Sequence, residues 1–252
     1  MLLAIDIGNS STKFGVFESA SLIDKFVIPT VRDYTVDELL FDRLRYVHER
    51  FFSIHTVAIT SVVPEVNETF SKASQELLKV TPVFIDHSFD FGVTINYEPV
   101  TAAGTDRLVN ISAAAAKYGT PVVVCSFGTA TTIDAVNMEG VYLGGIIAPG
   151  MKMLAEALHL KTSKLPLVSI EEPGAVIGNS TEASIKSGVF YGYIGLVEGL
   201  LERFKTELGG DEQVIATGGF AVLLSNNSSL IDIVDENLTL DGVRLLLERR
   251  AV

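Results

Sequence analysis

The chain is short of several residue types, and each shortage excludes a class of protein. It carries one cysteine, Cys125, and no tryptophan in 252 residues. A single cysteine forms no internal disulfide, so an apolar core must hold the fold, and the thiol suits a reducing cytoplasm. The four histidines, His48, His55, His87 and His159, stand at no metal-ligand spacing and beside no cysteine. Lysine and arginine number 19 against 31 aspartates and glutamates, a formal net charge of −12. Such a surface does not neutralise a phosphate backbone, so no nucleic-acid partner is expected. It leaves local phosphate binding by backbone amides and Mg²⁺ open. No run approaches 18 apolar residues, so no membrane span is expected. Asp6 interrupts the stretch that a signal peptide would keep apolar.

What is present is a chain with 48% hydrophobic residues, long enough for one large domain or two of ordinary size. It opens on an apolar run, Leu2 to Ile5, that ends on Asp6, turns at Gly8-Asn9, passes Ser10, Ser11 and Thr12, and resumes from Phe14 to Phe17. This is the pattern of a β-hairpin, with Gly and Asn tolerating the positive φ of a tight turn. Turn N–H groups and hydroxyls of that kind can hold phosphate oxygens while Asp6 faces a metal or its water. An ordinary hairpin with polar turn residues has the same pattern. The stretch returns 120 positions on as Ser126-Phe127-Gly128-Thr129-Ala130-Thr131-Thr132-Ile133-Asp134, again after an apolar run, Val122 to Cys125. Gly8 matches Gly128, Ser11 matches Thr131 and Thr12 matches Thr132. Two such hairpins suggest related halves closing on one polyphosphate.

Between the hairpins, a strand is expected over Leu22–Ile28 and helices over Val36–Arg50 and Glu65–Val80. Further strands fall at Ile54–Thr60, Pro82–Ile85 and Val93–Tyr97, and another helix at Thr105–Tyr118. After the second hairpin come a strand at Gly140–Ile147, a helix at Met151–His159 and a loop at Lys161–Pro173. A long helix, Glu182–Leu208, is followed by a strand at Val214–Ala216, a short helix at Gly219–Ser225, a strand at Ile231–Val234 and a closing helix at Leu240–Arg249. The order predicts an α/β fold of mixed sheets covered by helices. Two halves are expected, 1–115 and 116–252.

Gly104-Thr105-Asp106-Arg107 sets an acid beside a guanidinium at a helix start. Asp106 there can accept a hydroxyl proton and Arg107 can bind a carboxylate bidentately, while Thr105 as an N-cap would explain the same residues. Thr217-Gly218-Gly219 is a strand-to-helix turn at which a ribose or phosphate can rest. Gly188, Gly192, Gly195 and Gly199 recur at helical spacing, where each glycine costs roughly 1 kcal/mol against alanine. A close internal helix contact or a subunit interface is expected on that face.

Taken in order, Asp6-x-Gly8-Asn9-Ser10, Gly104-Thr105-Asp106-Arg107, Gly128-Thr129-Ala130-Thr131-Thr132-x-Asp134, Gly144-Gly145-x-Ile147-x-Pro149-Gly150 and Thr217-Gly218-Gly219 resemble the type III pantothenate kinases. That family belongs with the acetate kinases, sugar kinases, Hsp70 and actin. The resemblance implies two duplicated ribonuclease H-like, actin-like ATPase halves with the active site in the cleft between them. It implies ATP-dependent phosphorylation of pantothenate to 4′-phosphopantothenate, at the start of coenzyme A synthesis, by a cytoplasmic homodimer. Asp106 would be the base, and Asp6 would hold Mg²⁺ through water. Gly8, Asn9, Ser10, Lys13 and the turn of Gly128, Thr129, Ala130, Thr131 and Thr132 would cradle phosphates. Thr217, Gly218 and Gly219 would lie near the adenosine. Tyr97, Gly104, Thr105, Asp106, Arg107 and Thr181 would contact pantothenate. The family usually has Asp where this chain has Ser126, and that Asp is associated with K⁺ or NH₄⁺. One neutral oxygen replaces a carboxylate here, which puts the monovalent cation in doubt. A kinase of another small alcohol or acid, and a non-catalytic nucleotide or pantothenate sensor, are the alternative functions.

Overall fold

Apolar residues at nearly every position from Leu2 to Ile7 suit a strand covered on both faces, and β1 (Leu2–Ile7) forms there. The structure, a computed structural model, describes residues 1–39, 44–51 and 53–250. β1 pairs antiparallel with β2 (Ser11–Glu18), and β2 pairs antiparallel with β3 (Ser21–Pro29). β4 (Thr56–Ser61) then joins β1 in parallel, which needs a crossover, and α1 (Val36–Leu39) and α2 (Arg45–Arg50) lie in it. Of the expected helix Val36–Arg50, Leu40 and positions 41–43 lie outside the described residues, as does the His48 side chain.

α3 (Pro64–Ala73) starts on the proline, whose missing N–H costs nothing at the first helical position. The expected helix to Val80 gives way to a π turn, Ser74–Leu78, closed by Lys79 in the left-handed region (φ 58°). β5 (Val83–Phe84) completes the order β3-β2-β1-β4-β5. β6 (Thr94–Ile95) is also shorter than the expected Val93–Tyr97. The core of this sheet joins Leu3, Ile5, Phe14 and Ile59 to Leu39, Val66 and Phe70 of the helices.

α4 (Thr105–Tyr118) leads to a second sheet. β7 (Val122–Phe127), β8 (Ala130–Val136) and β9 (Val141–Pro149) form an antiparallel meander. α5 (Met151–Lys161) and α6 (Thr181–Leu208) then return the chain to β10 (Gln213–Thr217), parallel to β7. α7 (Ala221–Ser225) connects to β11 (Ile233–Val234), parallel to β10. The run β9-β8-β7-β10-β11 repeats the order β3-β2-β1-β4-β5 of the first sheet. The repeat read from two hairpins therefore extends through five strands of each sheet.

The chain divides into two compact units, Met1–Ala116 with Asn237–Val252, and Lys117–Glu236. The closing helix, α8 (Leu238–Arg250), belongs to the first unit, which departs from the expected division into 1–115 and 116–252. Its buried Leu238, Leu240, Val243 and Leu246 need apolar partners, and the helix packs on β1, β2 and β4 of the first sheet and against α4, where Gly242 lies against Val109 and Ala113. Thr239 donates to Asn110 at 2.8 Å and Arg249 to Ser112 at 2.9 Å, fixing the same contact. Within the second unit, Lys117 and Tyr118 both reach Asp235 Oδ2, at 2.6 and 2.8 Å, so the entering and leaving segments are fastened together.

Candidate active site

In the first unit the hairpin between β1 and β2 presents its polar residues at the strand ends. Gly8 N–H donates to Ser11 C=O at 3.0 Å, closing the turn and leaving Asn9 and Ser10 exposed at the tip. Neither Gly8 nor Asn9 takes positive φ, contrary to the expectation for a two-residue turn. Four residues, Gly8 to Ser11, separate the paired Ile7 and Thr12, so no mirror-image turn is required. Asp6 and Lys13 are register partners, and the Lys13 ammonium lies 3.2 Å from the Asp6 carboxylate. The buried Thr12 shares a 2.8 Å hydrogen bond with Thr30, fastening β2 to the end of β3.

The second feature of this unit is the start of α4. Thr105 is its first helical residue and not its cap; its hydroxyl donates to Ser61 C=O at 3.3 Å and receives from Thr60 at 3.4 Å. Asp106 Oδ1 accepts the Arg107 N–H at 2.9 Å. A Cβ on Gly104 would lie 2.6 Å from that oxygen, so only glycine leaves the carboxylate where it is. Arg107 is 4% exposed and its guanidinium lies 5.6 Å from the centre of the Tyr97 ring. Gly104, Thr105, Asp106, Arg107 and Tyr97 thus lie together. His87 Nε2 contacts Ala103 C=O at 2.8 Å, a support for this turn that no sequence pattern announced.

In the second unit the hairpin between β7 and β8 is one residue shorter. Phe127 pairs with Thr131, and Gly128 N–H bonds to Ala130 C=O at 3.2 Å. The spacing of 120 thus holds up to the turn and slips by one after it: Thr131, not Thr132, takes the buried place of Thr12. Thr131 points inward, bonded to the Tyr193 hydroxyl, whose pKa burial pushes up to about 12. Thr129 is exposed and Thr132 half-buried. Gly150, the last residue of the glycine-rich stretch, packs where a Cβ would meet Thr129 C=O at 2.3 Å, holding the turn from behind.

Ser126 and Thr217 are register partners at the ends of β7 and β10. Thr217 is 1% exposed, and its hydroxyl has no hydrogen-bond partner among the described residues. Gly218 follows at φ 94°, its backbone so close to Phe127 that a Cβ would sit 2.6 Å from the Phe127 oxygen. Gly219 is exposed at the turn leading to α7. Thr181 opens α6 behind the N-cap Ser180, whose hydroxyl accepts from Ala183 N–H at 3.1 Å. Cys125 is fully buried, and that burial, with the Asp134 charge, raises its thiol pKa, so it is no nucleophile.

The profile of the type III pantothenate kinase family matches residues 2–203. A type III pantothenate kinase of Koribacter versatilis is 41% identical to the chain, over 99% of this chain and 96% of its own length. The chain belongs to the type III pantothenate kinase family. It is therefore a kinase of the first step of coenzyme A biosynthesis. A second member, from Desulfosudis oleivorans, is 43% identical over 98% of both chains. Among solved structures, a Campylobacter jejuni protein described as a Baf family transcriptional activator has a TM-score of 0.64 at 20% identity. It covers 99% of this chain and 98% of its own. An inorganic polyphosphate/ATP-glucomannokinase from Arthrobacter has a TM-score of 0.51 at 14% identity, over 99% of this chain and 98% of its own. At those identities the likeness is one of fold, and the fold is that of the sugar-kinase and actin-like ATPases. No helix among the described residues is long and apolar enough to cross a membrane.

Proposed function

We propose that this family member transfers the terminal phosphoryl group of ATP to the primary hydroxyl of pantothenate with Asp106 as the base. The hydroxyl oxygen forms the new P–O bond, its proton passes to the Asp106 carboxylate, and the bond to ADP breaks, giving 4′-phosphopantothenate. The observation that carries the reading is the first turn of α4, where Asp106 stands beside an Arg107 buried next to Tyr97. A guanidinium so placed can hold the pantothenate carboxylate bidentately, with Gly104, Thr105 and Thr181 as further contacts.

On the donor side, Gly8, Asn9, Ser10 and Lys13 of the first unit and Gly128, Thr129, Ala130 and Thr132 of the second would bind phosphates. Thr131 would hold the shape of its turn from inside. Thr217, Gly218 and Gly219 would lie at the nucleoside. Asp6, near the carboxyl end of β1 and 3.2 Å from the Lys13 ammonium, would hold Mg²⁺ through water, since Mg²⁺ needs only one or two carboxylates when phosphates and water supply the rest. Bound there, the ion would neutralise phosphate charge; the remaining catalysis is positioning by the chain's own groups.

A homodimer is part of the same reading. α5 and α6 enclose an apolar groove of about 960 Å³ lined by Leu154, Leu158, Leu165, Ile185, Gly188 and Val189. Around it Leu160 and Ile177 are exposed, the latter to 89%. A cytoplasmic location, suggested by the lone buried thiol, completes it. The test is Asp106→Asn. It should leave ATP binding intact and lower pantothenate-dependent turnover by about 10² or more, the usual range for a general base. Near-normal turnover would remove Asp106 from the role, and ATP consumption independent of pantothenate would remove the substrate.

A further inference from the structure

We infer that Thr60, which lies outside the proposed set of binding and catalytic residues, is a positioning residue for Asp106. The inference rests on the reading of Asp106 as base. β4 is built of Thr56, Val57, Ala58, Ile59, Thr60 and Ser61, and its interior is fully buried. Valine would serve that strand as well as threonine by size and by β-branching. A hydroxyl at 0% exposure is instead a cost unless something receives it. Thr60 places its hydroxyl 3.4 Å from that of Thr105, and Thr105 passes the contact on to Ser61 C=O at 3.3 Å. Both distances are long for hydroxyl bonds, so the link is one of registration more than of strength.

The register gives that link its meaning. Thr60 is the parallel-strand partner of Asp6, so both side chains leave the sheet on one face, at the carboxyl ends of their strands. Thr105 is the first residue of α4 and Asp106 the second. The chain of hydroxyls from Thr60 to Thr105 therefore sets where the helix begins relative to Asp6, and so where the Asp106 carboxylate stands relative to the phosphate hairpin of the same unit. His87 contacts the carbonyl of Ala103, two residues before Thr105. The helix start is thus pinned from two sides, and Thr60 supplies the side that faces Asp6.

The experiment compares Thr60→Val and Thr60→Ser in the full-length kinase by steady-state kinetics, with thermal unfolding as a control. Thr60→Val keeps shape and removes the hydroxyl; it should lower kcat about tenfold, since small displacements of a reacting group are costly, while KM for ATP stays within about twofold. Thr60→Ser keeps the hydroxyl and should restore kcat to within about twofold. A role in stability alone would lower the unfolding temperature without this split, and wild-type kcat in Thr60→Val would overturn the inference. So would equal loss in both variants. If Thr60→Val does not fold, Thr60→Cys, which fills the site without a good donor, is read against Thr60→Ser by the same criteria. The two readings fail separately. An active Asp106→Asn removes the base, and this inference with it. An inactive Asp106→Asn beside a fully active Thr60→Val removes this inference alone.

Discussion

Ser126, the last residue but one of β7, and Thr217, the last of β10, stand side by side with two hydroxyls, where the family resemblance leads one to expect a carboxylate at the first position. A carboxylate would bring a full negative charge to a monovalent cation; two neutral oxygens bring only dipoles. The unpartnered Thr217 hydroxyl shows that the chain itself does not satisfy this spot from among its described residues, and a buried donor left so costs about 1–3 kcal/mol until water or a ligand meets it. Charge therefore favours a kinase that works without tightly held K⁺ or NH₄⁺. Rates measured with K⁺, with Na⁺ and with no added monovalent cation are expected to agree, and Ser126→Asp should introduce stimulation by K⁺. Strong K⁺ dependence of the unaltered chain would show that neutral oxygens suffice.

The glycines of α6 show how an element can be legible while its purpose is not. The helix is legible from Ile185, Val189, Tyr193, Leu196, Val197, Leu200 and Phe204 on one face; Ile185, Val189, Tyr193 and Val197 are buried and the other three half-buried. The spacing of Gly188, Gly192, Gly195 and Gly199 was equally plain, but spacing does not say what a face meets. In the structure Gly188, Gly192 and Gly195 are exposed, and a Cβ on any of them would meet nothing within 4 Å. An internal close contact, one of the two expectations, is excluded among the described residues, and the stripe continues the surface of the apolar groove through Gly188. Gly192→Leu should then leave the subunit folded, with a gain in helix propensity of up to about 1 kcal/mol, and dissociate the proposed homodimer, lowering the mass in solution to that of a monomer. Light scattering reads the mass directly. Unchanged mass together with unchanged stability would remove the stripe from any interface. The turns were harder to read than the helix for a related reason. Gly8-Asn9 and Gly128-Thr129 announce a reversal of the chain, whereas the length of each turn depends on which residues pair across the strands, so a constant spacing of 120 matches Thr131 to Ser11 where strand pairing matches it to Thr12.

At the scale of the whole molecule, chain order and structural order part at the last helix. Nothing local to Leu238–Arg250 marks it as belonging to residues more than a hundred positions earlier; its pattern of Leu240, Val243 and Leu246 asks only for an apolar face. What selects the face is shape. Gly242 has no side chain, and Val109 Cγ1 and the Val109 carbonyl fill the space, at 2.6 and 2.7 Å from where a Cβ would be. On the other side Leu240 reaches Gly15 of β2, where a Cβ would lie 3.0 Å from Leu240 Cδ1. At Gly242 the backbone of α4 leaves no room for another residue, while at Gly15 a Cβ would press on the side-chain ends of Leu22 and Leu240; such closeness exists only once the sheet is built. Gly242→Val would force α8 away from α4, with an overpacking cost of about 1–3 kcal/mol. Since α8 completes the first unit, hydrogen exchange should show the loss of protection in β1, β2 and α4, with β7 and β10 little changed. Loosening confined to β7, β10 and α6 would instead place the helix with the second unit, as the order of the chain suggests.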